Sequence, residues 1–146
     1  MIDPVVRPAT ADDAAELAVL ETTARAALVE ARGGERWLTE HPVVGDAWAA
    51  RVASGGVFVA LIGAVRVGFL AIDLTRPVAT VEQVFVHHEA RELGFGDALL
   101  AAAVDAARAS GATWLEGHTL PGDRNIKNLY ERARITARLI TVSTRL

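Results

Sequence analysis

The 146-residue chain has no cysteine, a single lysine (Lys127 among 15 basic residues), a single tyrosine (Tyr130) and no long hydrophobic run. Without cysteine, a disulfide framework, a cysteine-ligated zinc site and a cysteine nucleophile are excluded, and a reduced, cytoplasmic setting is expected. The basic residues are spread along the chain and outnumbered by 18 acidic ones, for a net charge of −3, so no nucleic-acid partner is expected. The longest apolar stretch, Val57 to Val65, meets Arg66 far short of the roughly 18 to 20 residues of a membrane span and reads as a buried strand. Met1-Ile2-Asp3-Pro4 carries no basic segment leading into an apolar core, so no signal peptide and no membrane partner are expected. What the chain does have is 51% apolar residues, enough for one domain over residues 1–146 that buries roughly two thirds of its unfolded surface.

Periodicity orders the elements. Val5-Val6-Arg7 reads as a short strand, and Thr10 three residues before Asp13 has the form of a capping box opening a helix. Leu17, Leu20, Ala24, Ala27 and Leu28 recur at helical spacing until Gly33-Gly34, and shorter helical pieces follow over 35–41 and 46–54. From Val57 the pattern changes to a hairpin, residues 57–62 and 66–74 around Gly63-Ala64, then to a third strand from Val81 to Val86. A long helix over about 94–110 is followed by a strand over 113–119, a helix near 125–132 and a last strand over about 136–142. This order predicts an α/β mixed sheet covered by helices, with a parallel pair near the C-terminus and a binding crevice at its carboxyl end.

The stretch from Val81 to Leu100 carries the chemistry. A strand feeds a loop whose glycines, Gly94 and Gly96, open the long helix. Unpaired N–H groups from Arg91 to Gly96 and the helix dipole make this a candidate anion site. On these residues alone, a tight turn without a ligand is an equal alternative. A dinucleotide fingerprint would need a third glycine where Leu99 stands, and a P-loop would need a Lys-Ser/Thr pair that is absent.

Arg91-Glu92-Leu93-Gly94-Phe95-Gly96 resembles the Gln/Arg-x-x-Gly-x-Gly/Ala signature of the GNAT N-acetyltransferase superfamily. Val84-Phe85-Val86 resembles the family strand end that pairs with the pantetheine arm of acyl-CoA, Leu129-Tyr130-Glu131 resembles its Leu-Tyr-Glu element, and residues 6–13 resemble its usual opening. The resemblance implies a central, mostly antiparallel sheet with a parallel pair splayed around the acyl-CoA site, helices on both faces, and acetyl-CoA as co-substrate. The chain departs from the pattern at Asp123, where the family often has Asn, and at Arg134-Ile135, where it often has Gly-Phe. The residues after Thr136 leave room for one final strand where the family usually has two.

Acetyl transfer from a thioester to an amine needs a neutral amine, a polarised carbonyl and a proton for the leaving thiolate. The resemblance implies Glu82 as the base, Tyr130 as the acid and a backbone N–H near Val84 to Val86 as the carbonyl contact. Residues 91–96 with Val84, Phe85, Val86, Asn125 and Asn128 are the expected cofactor contacts. Lys127 reads as a solvated helix residue, and Glu35, Trp37, His41 and Trp48 lie where the family lines its acceptor side. His87-His88-Glu89 lacks a second ligand pair at a recognised spacing, so no metal is expected. The reading is an acetyl-CoA-dependent N-acetyltransferase acting on a small-molecule or peptide amine, with a homodimer expected through the C-terminal strand. The alternative is a non-catalytic acyl-CoA-binding sensor or interaction module.

Overall fold

The computed structural model describes residues 3–146. Five strands, β1 (Val5–Pro8), β2 (Val57–Ile62), β3 (Val65–Asp73), β4 (Val78–Val86) and β5 (Trp114–Glu116), form one sheet in the order β1-β2-β3-β4-β5. All neighbours are antiparallel except β4 and β5, which run parallel. The helices are α1 (Ala14–Ala26), α2 (Gly34–Glu40), α3 (Trp48–Ala53), α4 (Phe95–Ala109) and α5 (Arg124–Arg132). None of them is long and apolar enough to cross a membrane.

The continuous apolar code of β2 and β3 follows from their central place, because side chains are covered on both sheet faces. On one face Leu99, Leu100, Ala103 and Ala107 of α4 pack on Ala60, Leu70, Ile72, Ala79 and Val81. On the other, Leu17 and Leu20 of α1 and Trp48 of α3 pack on Val59, Phe69, Ala71 and Phe85, with Trp48 meeting Phe69 edge-on at 5.5 Å. The expected turn before α1 forms: the Thr10 N–H donates to Asp13 Oδ2 at 2.8 Å. Asp13 is fully buried and also accepts from Arg7 (2.8 and 3.0 Å) and Arg66 (2.9 Å), which ties α1 to β1 and β3.

Several expected boundaries shift. β4 starts at Val78 rather than Val81, because its first residues pair with β5, and β5 itself is only three residues long. The last strand expected over about 136–142 does not form: the chain turns out of α5 through Arg134 at φ 62° and then runs without regular structure. A strand forms only against a partner that accepts its backbone groups. Residues 136–146 have none, and Leu139, Ile140 and Val142 stay exposed.

Candidate active site

The parallel pairing of β4 and β5 covers only Val78↔Trp114, Ala79↔Leu115 and Thr80↔Glu116. Beyond this point β4 runs on to Val86 while the other chain leaves the sheet, so a wedge opens along the β5 side of residues 81–86. Val84 and Val86 turn their side chains to the α4 face and Phe85 to the α1 face. Apart from Val86 O, which accepts from Arg91, the main-chain groups on this side of β4 can bond an extended ligand arm in the manner of a further strand.

The N-terminus of α4 lies across the end of β4. Glu92 (φ 66°) and Gly94 (φ 88°) both take left-handed backbone, and Arg91 Nε donates to Val86 O at 3.1 Å, which folds the loop back on its strand. The N–H groups from Glu92 to Asp97 make no hydrogen bond with any described residue; the first helical bond is Ala98 N–H to Gly94 O at 3.0 Å. Those donors and the positive end of the helix dipole suit an anion such as a pyrophosphate. At Gly96 the first turn of α4 faces Leu129 of α5 and Val86 at the end of β4, with room for no more than a methyl group. The Arg132–Asp97 pair at 2.9 Å holds α5 to α4.

That junction carries Tyr130 to the wedge. Its ring is 93% buried, judging by a relative exposure of 7%, yet its hydroxyl bonds no described residue. The hydroxyl lies against the backbone of Gly117, the first residue after β5, and a side chain there would overlap it. Burial pushes the phenol above its ordinary pKa, so it stays protonated and able to donate throughout the neutral range. Gly117 had no signal in the sequence; its importance comes from a contact with a helix thirteen residues downstream.

Glu82 is the extra residue of a β-bulge, since Ala71 pairs with Gln83 and Ile72 with Val81. The bulge turns Glu82 and Gln83 toward the same helical layer. Glu82 Oε1 accepts from Arg51 Nη2 (2.8 Å) and Nε (3.1 Å), and Arg51 also bonds Ile72 O at 2.8 Å. These groups line an open cleft of about 300 Å³ with Asp73 and Leu74. Gln83 donates to Glu21 Oε2 at 2.8 Å. Glu21 is buried and also accepts from the N–H groups of Val44 and Gly45 (3.0 Å each) and from Trp48 Nε1 (3.2 Å). Burial raises its pKa, but the bonds from Gly45, Val44, Gln83 and Trp48 outweigh that and leave it below the ordinary glutamate value. The carboxylate thereby fastens the segment before α3 to the β4 bulge. Glu21 carries no signal in the sequence, because its partners lie 23 to 62 residues away.

On the acceptor side, Trp37 stacks on His41 (3.5 Å between centroids) and meets His118 at 5.3 Å and 44°. Trp48 is core rather than pocket lining. Asn125 and Asn128 are exposed on α5, and Lys127 faces Glu131 at 3.9 Å. Asp123 caps α5, its Oδ1 accepting from the Ile126 N–H at 3.3 Å, so the carboxylate serves where the family often has an amide. His87 and His88 lie just past β4, where they open a 3-10 turn and stack at 4.4 Å. No group of three metal-ligating side chains occurs among the described residues.

A mixed sheet splayed beside a glycine-opened helix, with a buried phenol at the wedge, defines the architecture of a GNAT-type acyltransferase. The profile of the acetyltransferase (GNAT) family matches residues 18–134, and the chain belongs to that family. Comparison with curated proteins gives no match. Among solved structures, the chain is similar to a tetramutant of the BH1408 protein from Bacillus halodurans (18% identity, TM-score 0.77, covering 97% of this chain and 99% of that one). It is also similar to a ribosomal-protein-alanine N-acetyltransferase from Brucella melitensis biovar Abortus 2308 (20%, 0.70, 99% of each). A third similar structure is AAC(6')-Iy in complex with the bisubstrate analogue CoA-S-monomethyl-acetylneamine (19%, 0.69, 99% of this chain and 100% of that one).

Proposed function

We propose that this protein is an acetyl-CoA-dependent N-acetyltransferase that transfers the acetyl group directly to an amine. The observation that carries the reading is the Tyr130 hydroxyl, unpartnered on an otherwise buried ring and held against Gly117 where β4 and β5 part. The hydroxyl has no partner among the described residues and keeps access to solvent although its ring is buried, so it is free to bond a ligand sulfur in the wedge. The α4 N–H groups would hold the pyrophosphate, and main-chain groups at Val84 to Val86 the pantetheine arm and the thioester carbonyl. Asn125 and Asn128 border the same opening from α5.

Tyr130 donates its proton toward the leaving sulfur. Glu82 stands at the bulge paired with Arg51, and its Oε2, which bonds no described residue, can accept from the acceptor amine. The acceptor is an amine of a small molecule or of a peptide; the solved neighbours include one bound to an aminoglycoside-type analogue and one named for a ribosomal-protein alanine. We further propose a homodimer, because the sheet ends at β5 with a free edge and an exposed Trp114, beside a tail of exposed apolar residues.

The test is acetyl-CoA binding by calorimetry together with release of free thiol on a panel of an aminoglycoside, a diamino acid and peptides with free N-termini. Binding with thiol release supports the reading. Binding with no release on any amine favours the non-catalytic acyl-CoA sensor, and no binding removes both.

A further inference from the structure

The reaction needs a group that takes a proton from the attacking nitrogen, and Glu82 is poorly placed to be that group alone. Its Oε1 is occupied by two Arg51 bonds, and Arg51 is itself fastened to the main chain at Ile72 and to Ser54 Oγ. Another titratable side chain stands at the end of β5. Gly117 and His118 are consecutive residues at the point where the chain leaves β4, and they meet different helices. Gly117 meets the Tyr130 hydroxyl. The His118 ring meets Trp37 of α2.

Resting on the acetyltransferase reading, we propose that His118 is the proton acceptor for the amine. Phenol and imidazole then flank one strand end, the first toward the sulfur and the second toward the acceptor. His118 is exposed at the rim, and Trp37, itself stacked on His41, packs beside it and limits its swing. The titratable and charged residues of the elements its ring meets are Glu116 of β5 and Glu35, Arg36, Glu40 and His41 of the α2 segment. Arg36 and Glu40 pair with each other at 2.7 Å.

The step balances. The amine nitrogen forms a bond to the thioester carbonyl carbon, the C–S bond breaks, and its electron pair stays on sulfur. The nitrogen sheds one proton to His118, and the sulfur gains one from Tyr130. Solvent returns the proton from imidazolium to phenolate, so the products are the amide and the free thiol.

The experiment compares the wild-type chain with His118→Gln on the same amine from pH 5.5 to 8.5, with acetyl-CoA affinity and thermal melting measured alongside. Imidazole exchanges its proton within this range. The expected result is a loss of about 100-fold in kcat at pH 8, on the order of a general-base contribution. The ratio of wild-type to variant rate should shrink toward acid, where a protonated imidazole gives no help, while acetyl-CoA affinity and melting temperature stay unchanged. A ratio below about twofold, or one that does not vary with pH, overturns the proposal while leaving the acetyltransferase reading intact. Absence of wild-type turnover on every amine counts against both.

Discussion

Substituting Gly117 by Ala isolates the contact on which the acid depends. A methyl group at that position has no room: it would overlap both the Tyr130 hydroxyl and the ring carbon that bears it, and would stand 2.9 Å from a second ring carbon. The obstacle is the end of a ring anchored in the core beside Leu129, so it cannot yield as a flexible side chain would. Removing a glycine normally stabilises by reducing the freedom of the unfolded chain, by about 0.4 to 1 kcal/mol. Overpacking a core costs about 1 to 3 kcal/mol, so the net change is destabilising by roughly 0 to 2.5 kcal/mol. For a chain of this length, that corresponds to a fall in melting temperature of up to about 10 °C. Because the phenol must swing away from the wedge, kcat should drop by about 100-fold or more while acetyl-CoA affinity at the α4 N-terminus holds. The assays are a thermal melt, thiol-release kinetics and calorimetry. A variant that keeps wild-type kcat would refute the placement of the phenol as the acid, whatever its melting temperature.

Tyr130→Phe should lower kcat by about 100-fold with acetyl-CoA affinity within about twofold, measured by thiol release and calorimetry; unchanged turnover removes Tyr130 from the mechanism. Asp13 and Glu21 both have folded pKa values below their ordinary ones, Asp13 chiefly through the Arg7 bond and Glu21 through the bonds that overcome its burial. Their stabilisation is therefore fully present above the ordinary carboxylate range and is lost as pH falls from about 5 through the folded values. Urea midpoints at pH 7 and pH 4 should show this loss, and Asp13→Asn should lower the pH 7 midpoint and flatten the difference. Light scattering should find a dimer for the full chain and a monomer for a chain ending at Ile135; a monomeric full chain refutes the dimer.

Much of the fold was legible in the residues. The glycine pair at the start of α4, the apolar end of β4 and the Leu-Tyr pair of α5 are each motifs of adjacent or nearly adjacent residues, and their order along the chain resembles the family. The register of β3 on β4 was not legible, because a bulge is decided by how two strands pack against α1 and α3. The β5 strand was read too long, since the sequence carries no turn signal before Pro121-Gly122 although the pairing with β4 stops at Glu116. The tail over 136–146 has strand composition but no partner, and composition does not report the presence of a neighbour.

Local chemistry written along the chain was enough for the class of fold, the loop suited to an anion, the want of any thiol nucleophile and the lone phenol available as an acid. Contacts between distant residues decided the rest: Tyr130 against Gly117, His118 against Trp37, Glu82 bound to Arg51, and Glu21 fastening the segment before α3 to β4. Periodicity and capping depend on neighbours three or four positions away and so can be read from a string of residues. The contacts of Tyr130 and His118 with two sides of one strand end depend on where strands part and helices cross, which only the packed chain establishes.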